Sequence, residues 1–279
     1  MKICYFGFYN PDYSRNKILI EGLRQNGVEV VECCERSIGL KKYWRLFKKY
    51  KKVGKNSDGL VIGFPGHQAV FLAKLISKKK IVFDAFVSLY DSLVFDRQAV
   101  KSKSLRAKYY FLIDWLSCRL ADKVLIDTQT HIDYFVQTFK IKKSKFLRVF
   151  VGSLPDIFYP QKKDKKDDFF LVHFHGTGVP LQGIEHILKA AQLLEKENIL
   201  FNIIGKSDEN KNILKNNPSN ISFINLVSLK KLAGYINQAD VVLGIFGSTD
   251  KAQRVIPNKV FEGLACQKAV ITAETPAAK

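Results

Sequence analysis

The sequence predicts an α/β protein whose parallel sheets are covered by helices on both faces. Short apolar segments typical of strands alternate with amphipathic helical segments along nearly all of the 279 residues. A polar segment that contains two prolines, over residues 152–168, interrupts this alternation before it restarts at Phe169. Two Rossmann-like, doubly wound domains are therefore expected: residues 1–155, a linker over residues 156–168, and residues 169–279.

The first predicted domain begins with an apolar strand over residues 3–6, which ends at Gly7. A polar loop follows, and then a helix over residues 17–25 that an Asn-Gly pair closes. The same alternation predicts strands over residues 28–32, 60–63, 81–84, 123–127 and 146–151, and helices over residues 69–77, 105–120 and 130–139.

The second predicted domain repeats this pattern. Strands are expected over residues 169–175, 199–204, 221–226, 239–247 and 269–272, and helices over residues 184–194 and 229–238. A last helix is expected at Pro257, because proline is favoured in the first turn of a helix. Ligands of such sheets bind beyond the carboxyl ends of the strands, so a cleft between two facing domains is the expected site.

The formal net charge of +19 favours anionic partners, which include nucleic acid, acidic lipid and phosphorylated substrates. Residues 41–55 contain eight lysine and arginine side chains and no acidic one, with aromatic residues between them. A basic helix with aromatic anchors is typical of a membrane-surface element. A solvated helix whose Trp44 and Phe47 pack on the domain explains the same pattern, and the sequence does not choose between the two.

The composition argues against several other classes of protein. No run of about 18 apolar residues occurs, so no membrane-spanning helix is expected. The first residues lack the long apolar region of a signal peptide. Five cysteines without a C-x-x-C pair favour a reducing cytoplasm over a disulfide framework or a zinc site.

Residues 257–265 carry the pattern with the clearest chemistry. Lys259 and Glu262 are three positions apart and therefore project from one side of the predicted helix. The helix N-terminus and the ammonium favour a diphosphate, whereas the carboxylate can accept hydrogen bonds from vicinal sugar hydroxyls. This helix and the strand and polar loop before it thus predict a receptor for a phosphorylated sugar compound.

Four stretches together resemble the group 4 family of retaining glycosyltransferases, which have the GT-B fold. They are residues 175–185, 202–205, 239–244 and 256–265, and residues 83–91 and 121–128 add to the likeness. The resemblance implies a nucleoside diphosphate sugar as the donor, bound by the C-terminal domain, and an acceptor bound by the N-terminal domain. It also implies that no metal is needed, which agrees with the absence of an Asp-x-Asp pair.

The resemblance assigns the donor ribose hydroxyls to Glu262 and places Lys259 near the diphosphate. Cations fixed at that point stabilise the negative charge that develops on the departing nucleoside diphosphate. Together with Arg254, these two residues form the predicted catalytic set. Further donor contacts are expected from Gly176, Thr177, Gly205, Lys251 and Asn258.

The sequence departs from the family pattern around the donor. Arg254 stands where a glutamate that contacts the donor sugar is usual, and Thr177 and Gln182 stand at positions that are often basic. We therefore expect Lys251 and Arg254 to join Lys259 in binding the diphosphate.

The end of the chain departs from the pattern as well. Gln267 stands where a glycine usually follows the helix, so the turn is expected to differ. Relatives continue through further helices, so the second domain is expected to be truncated at Lys279.

Acceptor contacts are expected from Arg15, His67 and Asp84, which follow strand ends of the first domain. Each of them has a simple structural alternative: Arg15 opens a helix, and the other two cap loops. His173 and His175 share one face of a strand, but no third ligand of suitable spacing is visible. A structural role is expected for this pair, with His175 at the edge of the cleft.

The sequence thus predicts a glycosyltransferase that uses a nucleoside diphosphate sugar and a lipid-linked or polysaccharide acceptor, with retention, in bacterial surface glycan synthesis. Residues 41–55 would hold it to the inner face of the cell membrane. A GT-B sugar-nucleotide epimerase and a non-catalytic basic protein that binds nucleic acid are the alternatives. The epimerase should show more carboxylate and histidine groups around the donor sugar, and the nucleic-acid binder should show a recognition motif.

Overall fold

The computed structural model describes residues 1–162, 168–205 and 218–279. It divides the chain into two compact units, Met1–Phe150 and Val151–Lys279. Each unit is built on one parallel β-sheet, which confirms the predicted α/β class with two Rossmann-like domains.

The first unit has a six-stranded sheet with the order β2-β1-β3-β4-β5-β6. Its strands are β1 (Lys2–Gly7), β2 (Glu29–Cys34), β3 (Gly59–Ile62), β4 (Lys80–Phe86), β5 (Lys123–Ile126) and β6 (Phe146–Arg148). Its helices are α1 (Ser14–Gln25), α2 (Lys41–Lys49), α3 (His67–Ile76), α4 (Leu105–Leu120) and α5 (Gln129–Phe139). Two π-helical turns lie at Tyr50–Gly54 and Asp91–Asp96, and a 3-10 turn lies at Lys143–Lys145.

Both faces of this sheet are covered, because alternate strand residues point to opposite sides. Phe6, Ile62 and Phe83 pack on one face against helices α3 and α5. Tyr5 and Val61 lie on the other face, where α1 contributes Ile20. A continuous apolar strand buried on both sides is what a parallel sheet requires.

The second unit has a five-stranded sheet with the order β11-β10-β7-β8-β9. Its strands are β7 (Phe170–Gly176), β8 (Ile199–Gly205), β9 (Ile221–Asn225), β10 (Val241–Leu243) and β11 (Ala269–Ile271). Its helices are α6 (Ile184–Leu193), α7 (Leu229–Gln238) and α8 (Asn258–Ala265), and a 3-10 turn lies at Pro180–Gln182.

Helices α6 and α8 lie on opposite faces of this second sheet. Helix α6 buries Ile187 and Leu188 against Phe174 of β7. Helix α8 approaches the other face so closely at Gly263 that an added Cβ would lie 3.2 Å from Val242 and 3.0 Å from Val270. A side chain at that position would therefore push α8 away from the sheet.

The strand predicted over residues 239–247 is shorter in the structure, where β10 spans Val241–Leu243. The backbone leaves the ladder beside Thr272, whose hydroxyl accepts a hydrogen bond from the N–H of Ile245 and donates one to its carbonyl oxygen, both at 3.2 Å. A side chain thus satisfies backbone groups that a longer strand would have paired.

The turn after α8 keeps the geometry that glutamine at position 267 disfavours. Gln267 adopts a left-handed backbone conformation with φ of 56°. Its N–H donates to the carbonyl oxygen of Leu264 at 2.9 Å, and the N–H of Lys268 donates to that of Gly263 at 3.0 Å. This pair of bonds is a Schellman motif with glutamine in the position that favours glycine. The expectation of a different turn was wrong.

The substitution Gln267→Gly should therefore stabilise the protein. Glycine removes the cost of a left-handed side-chain residue, about 1 kcal/mol, so the thermal midpoint should rise by roughly 2–4 °C. The matched control is Gln192→Gly at an exposed position of α6, which should lower the midpoint because the backbone there is helical. Circular dichroism would measure the thermal midpoints. An equal fall in the midpoints of both variants would contradict this account.

Candidate functional site

The order of strands in the second sheet marks one place for a ligand. From β7, the chain adds β8 and β9 on one side and then β10 and β11 on the other. The connections after β7 and β10 therefore leave in opposite directions, and a crevice opens between them at the carboxyl ends of the strands. His175 and Gly176 end β7 at this point.

Lys259 lies in the first turn of α8 and is buried, with 4% of its surface exposed. Its ammonium nitrogen lies 3.9 Å from the ring centroid of Phe174 and has no hydrogen-bond partner among the residues that the structure describes. Burial lowers the pKa of Lys259 from 10.5 to about 7, although the nearby carboxylate of Glu262 opposes the change. An ammonium that is buried without a partner is costly, and an anionic ligand would offset that cost.

Glu262 lies one helical turn further along α8 and is held by histidine. Its Oε2 is 2.8 Å from Nε2 of His175, and Nδ1 of His175 is 3.1 Å from Nε2 of His173. Because a carboxylate only accepts, Nε2 of His175 carries the proton, and its Nδ1 must then accept from His173. Burial lowers the pKa of both histidines, so both are neutral in this arrangement.

This chain of hydrogen bonds fixes one oxygen of Glu262 and leaves the other for a ligand. In the described parts of the chain, Oε1 of Glu262 accepts no hydrogen bond. The sequence indicated that the two histidines share a strand face, but not that α8 lies over that face. Two features of the sequence could have predicted the contact between His175 and Glu262. They are the spacing of His173 and His175 on one strand and the carboxylate on a helix of the same domain.

Comparison with known proteins identifies the unit that carries this site. The family model described as "Glycosyl transferases group 1" matches residues 170–279. Residues 170–279 of the second unit thus match a glycosyl transferases group 1 domain. This match supports the conclusion that the protein is a transferase enzyme. The matched residues include Lys259, Glu262 and both histidines. No curated protein matches the chain by sequence.

Solved structures share the fold over both units. Sucrose-phosphate synthase from Thermosynechococcus elongatus aligns with a TM-score of 0.70 at 13% identity, covering 98% of this chain and 81% of that one. Anabaena HepE in complex with UDP-glucose gives 0.65 at 13%, covering 100% and 82%. A glycosyltransferase from Rickettsia africae gives 0.61 at 14%, covering 99% and 80%. These likenesses show the GT-B fold.

The two loops that border the crevice of the group 1 domain are hydrogen-bonded to each other. The N–H groups of Phe246 and Gly247 donate to the carbonyl oxygens of Gln182 and Leu181, at 3.1 and 3.2 Å. Gly183 has a left-handed φ of 61°, and an added Cβ there would lie 2.5 Å from the nitrogen of Gly247. The close approach of the two loops therefore depends on this glycine.

The loop after β7 is closed over Gly176 by a side-chain amide. An added Cβ on Gly176 would overlap the amide of Gln182, whose Oε1 accepts a hydrogen bond from the N–H of Gly178 at 3.0 Å. Thr177 is exposed beside it. Gly205 ends β8 in register with Gly176, and the residues that follow it lie outside the described ranges.

The remaining donor-side residues lie before and at the start of α8. Lys251 is buried and Arg254 is half-buried, and the N–H of Arg254 donates to the carbonyl oxygen of Lys251 at 3.0 Å. Asn258 is the first residue of the helix. The structure thus places all of them in the segment that leads into Lys259, and their roles stay predictions.

Arg15 and Asp84, two of the predicted acceptor residues, form an ion pair inside the first unit. Both are fully buried, and Nη2 of Arg15 lies 2.9 Å from Oδ1 of Asp84. Nη1 of Arg15 also donates to the carbonyl oxygens of Val149 and Phe150, at 2.9 and 3.0 Å. These contacts join α1 to β4 and to the end of the first unit, and a direct role toward an acceptor stays a prediction.

His67, the third predicted acceptor residue, is the first residue of α3 and is buried. Its Nε2 lies 2.9 Å from Oδ1 of Asp114, at an ion-pair distance, although the geometry is not that of a hydrogen bond. The carboxylate of Asp114 accepts hydrogen bonds from the Ser88 hydroxyl and from the N–H groups of Leu89 and Tyr90. His67 is therefore packed beside a carboxylate that organises the loop after β4.

No group of three or more histidine, cysteine, aspartate or glutamate side chains suited to a metal occurs within the described ranges. His173 and His175 make hydrogen bonds to each other and to Glu262 instead.

The buried ammonium predicts a specific dependence of stability on pH. Below pH 7, Lys259 is protonated in both the folded and the unfolded chain, so the cost of burying the charge is fully present. Between pH 7 and 10.5 the unfolded chain binds more protons, so this cost is progressively relieved as the pH rises. The variant Lys259→Met should therefore be more stable than the wild type at pH 6, by on the order of 3–5 kcal/mol at most.

Chemical denaturation at pH 6 and pH 9.5 would measure this difference, which should shrink at the higher pH. The control Lys230→Met changes an exposed lysine of α7 and should give no such difference at either pH. A stability gap between Lys259→Met and wild type that is the same at both pH values would show that Lys259 is not buried as a charge.

Proposed function

We propose that this protein transfers a sugar, with retention, from a nucleoside diphosphate donor held by its group 1 domain. The observation that carries the proposal is the buried ammonium of Lys259, which has no hydrogen-bond partner in the described structure and lies one helical turn from Glu262. A diphosphate would supply the missing anion, and ribose hydroxyls would donate to the free oxygen of Glu262.

The proposed chemistry depends on charge that develops as the glycosidic bond to the donor breaks. Negative charge then accumulates on the departing diphosphate, where the ammonium of Lys259 and the N-terminus of α8 stabilise it. The low dielectric that lowers the pKa of Lys259 also strengthens this interaction once the anion is bound. Arg254 and Lys251, on the segment before α8, would add positive charge to the same site.

We propose uridine as the first base to test, because structures of Anabaena HepE contain UDP and UDP-glucose. Those ligands are properties of HepE, and this chain shares its fold at 13% identity.

We further propose a lipid-linked or polysaccharide acceptor and an enzyme that works at the inner face of the cell membrane, in surface glycan synthesis. In the described residues, no helix has both the length and the apolar character needed to cross a membrane. Helix α2 instead exposes 59% of Trp44, and the ammonium of Lys48 lies 3.6 Å from the Trp44 ring centroid. In the π-helical turn that follows α2, the ammonium of Lys51 lies 4.7 Å from the ring centroid of Phe47. Such a surface combines charge for anionic headgroups with an aromatic anchor.

Donor binding should be accompanied by proton uptake. A bound diphosphate restores the pKa of Lys259, so at pH 8 the protein should take up close to one proton as UDP binds. Calorimetry in buffers of different ionisation enthalpy measures this number directly. Lys259→Met should abolish the uptake and weaken UDP by about tenfold to a hundredfold, as for a charge-assisted hydrogen bond of about 1.5–3 kcal/mol.

Matched variants separate the two groups of the site. Glu262→Gln should weaken UDP but not inorganic pyrophosphate, because only UDP has ribose hydroxyls, whereas Lys259→Met should weaken both ligands. His175→Phe should weaken UDP binding less than Glu262→Gln does, because it removes the hydrogen bond that holds the carboxylate but leaves the carboxylate in place. Lys230→Met is the control. Tight UDP binding by Lys259→Met, or binding of UDP without proton uptake, would overturn the proposal.

Membrane association should depend on the positive charge of Lys48 and Lys51 and on the exposed ring of Trp44. Sedimentation with vesicles should show binding when phosphatidylglycerol is present and little binding to phosphatidylcholine alone. The double variant Lys48→Gln/Lys51→Gln should weaken this binding by about tenfold or more, at about 1 kcal/mol per lysine near the surface. Trp44→Ser should weaken it as well, whereas Lys230→Gln in the second unit should not. Equal binding to both kinds of vesicle would exclude this surface.

A further inference from the structure

A pocket of about 440 Å³ opens at the carboxyl edge of the first sheet. Phe8, directly after β1, and Pro65, in the loop after β3, lie on its sheet side. In the strand order β2-β1-β3, the connections of β1 and β3 diverge at this edge, so the pocket lies at the ligand position of this sheet. Lys42 of α2 and Tyr109 of α4 complete the lining used below.

A second, more apolar groove of about 360 Å³ adjoins this pocket. The two share Gln68 and Tyr109, so they meet between α3 and α4. Phe71, Leu112 and Leu116 line the groove as it runs away from the sheet edge. Each volume is within the range of about 300–1,000 Å³ that small-molecule sites occupy.

The pocket has a cation that lacks a counterion. The ammonium of Lys42 donates to the amide oxygen of Gln68 at 3.0 Å and lies 4.5 Å from the ring centroid of Phe8. Across the described ranges, no carboxylate comes within ion-pair distance of it. The hydrogen bond to a neutral amide holds the ammonium at the pocket without neutralising it.

A buried polar atom points to a ligand as well. His67 lines the same pocket, is 3% exposed, and its Nδ1 has no hydrogen-bond partner in the described structure. Asp114, whose Oδ1 lies 2.9 Å from Nε2 of His67, is fully buried, and its carboxylate accepts hydrogen bonds from the Ser88 hydroxyl and two backbone N–H groups. These hydrogen bonds occupy its carboxylate, and in the described structure it forms no ion pair with Lys42.

The helices that line the groove combine positive charge with exposed apolar surface. Helices α2 and α4, which contribute to the lining, also carry the exposed basic residues Lys41, Arg45, Arg106 and Lys108. Leu112, which lines the groove, is itself 48% exposed. A purely polar ligand would leave this apolar surface in water, and a purely apolar one would leave the cation unpaired.

We propose that this pocket and groove together bind one anionic amphiphile, a phosphate monoester on a hydrocarbon chain. The phosphate pairs with Lys42 at the sheet edge, and the chain lies along Phe71, Leu112 and Leu116. The inference rests on the proposed function only in one respect, which is that the bound lipid phosphate is the acceptor. One of its oxygens would form the bond to the anomeric carbon of the sugar as the bond from that carbon to the nucleoside diphosphate breaks, and the nucleoside diphosphate would leave. It differs from adsorption through α2, because Trp44 lines neither the pocket nor the groove.

The test uses farnesyl phosphate, a soluble isoprenyl monophosphate, as the probe with the full chain. Calorimetry without any donor should show saturable binding at one site. Lys42→Gln should weaken the binding of farnesyl phosphate by about tenfold, or about 1.4 kcal/mol, and leave the binding of farnesol unchanged. Leu112→Gln should weaken both compounds, because each buries its chain against that side chain.

The control Trp44→Ser should leave farnesyl phosphate binding unchanged, although it weakens vesicle association. Inorganic phosphate should bind far more weakly than farnesyl phosphate. An equal loss in Trp44→Ser, or phosphate binding as tight as that of the probe, would overturn the proposal in favour of a surface or a plain anion site. Absence of saturable probe binding would overturn it outright.

These readouts need no nucleotide, so failure of donor binding and failure of this site are distinguishable. All three substituted side chains are at least partly exposed, and thermal midpoints like that of the wild type would exclude misfolding as the cause of lost binding.

Discussion

The structure of the candidate site depends on one constraint, which is the burial of an ammonium group without a carboxylate in contact. The first unit contains the opposite case. Arg15 is equally buried, but Asp84 and two carbonyl oxygens satisfy it, so its charge is used to hold strands and a helix together. Lys259 has only an aromatic ring against it, and no comparable set of acceptors within the described ranges. A fully paired charge serves the fold, whereas an unpaired one is available to a ligand.

The two sheets position their sites by the same rule. In each sheet, the strand that comes first in the sequence has neighbours on both sides, and polar groups lie at its carboxyl end. The second sheet places Lys259, Glu262 and His175 there, and the first places Lys42 and His67 there. The proposed binding of a nucleotide by one unit and of an amphiphile by the other rests on this difference: a helix N-terminus with a carboxylate in one unit, and a cation beside an apolar groove in the other.

The sequence predicted the order and type of nearly every element, because hydrophobic periodicity is a local property. Helix α4 begins and ends at the predicted residues, and so does α7. It could not predict contacts that depend on tertiary geometry. The hydroxyl of Thr272 shortens β10, and α8 brings Glu262 onto the face that carries His175. For the same reason the sequence placed Lys259 and Glu262 on one side of a helix, but it could not show that Glu262 is hydrogen-bonded to His175 while the ammonium of Lys259 has no hydrogen-bond partner in the described structure.

The amide of Gln182 has a consequence for affinity. It already accepts the hydrogen bond of the Gly178 N–H, over Gly176, in the loop that follows the first strand of the group 1 domain. A phosphate oxygen of the proposed donor that is to accept from this N–H must first displace the amide, so Gln182 would compete with the ligand for this hydrogen bond. The apparent dissociation constant then equals the intrinsic one divided by the fraction of molecules in which the amide has swung away. The rotamer preference of one glutamine can thus set the substrate concentration at which the site fills.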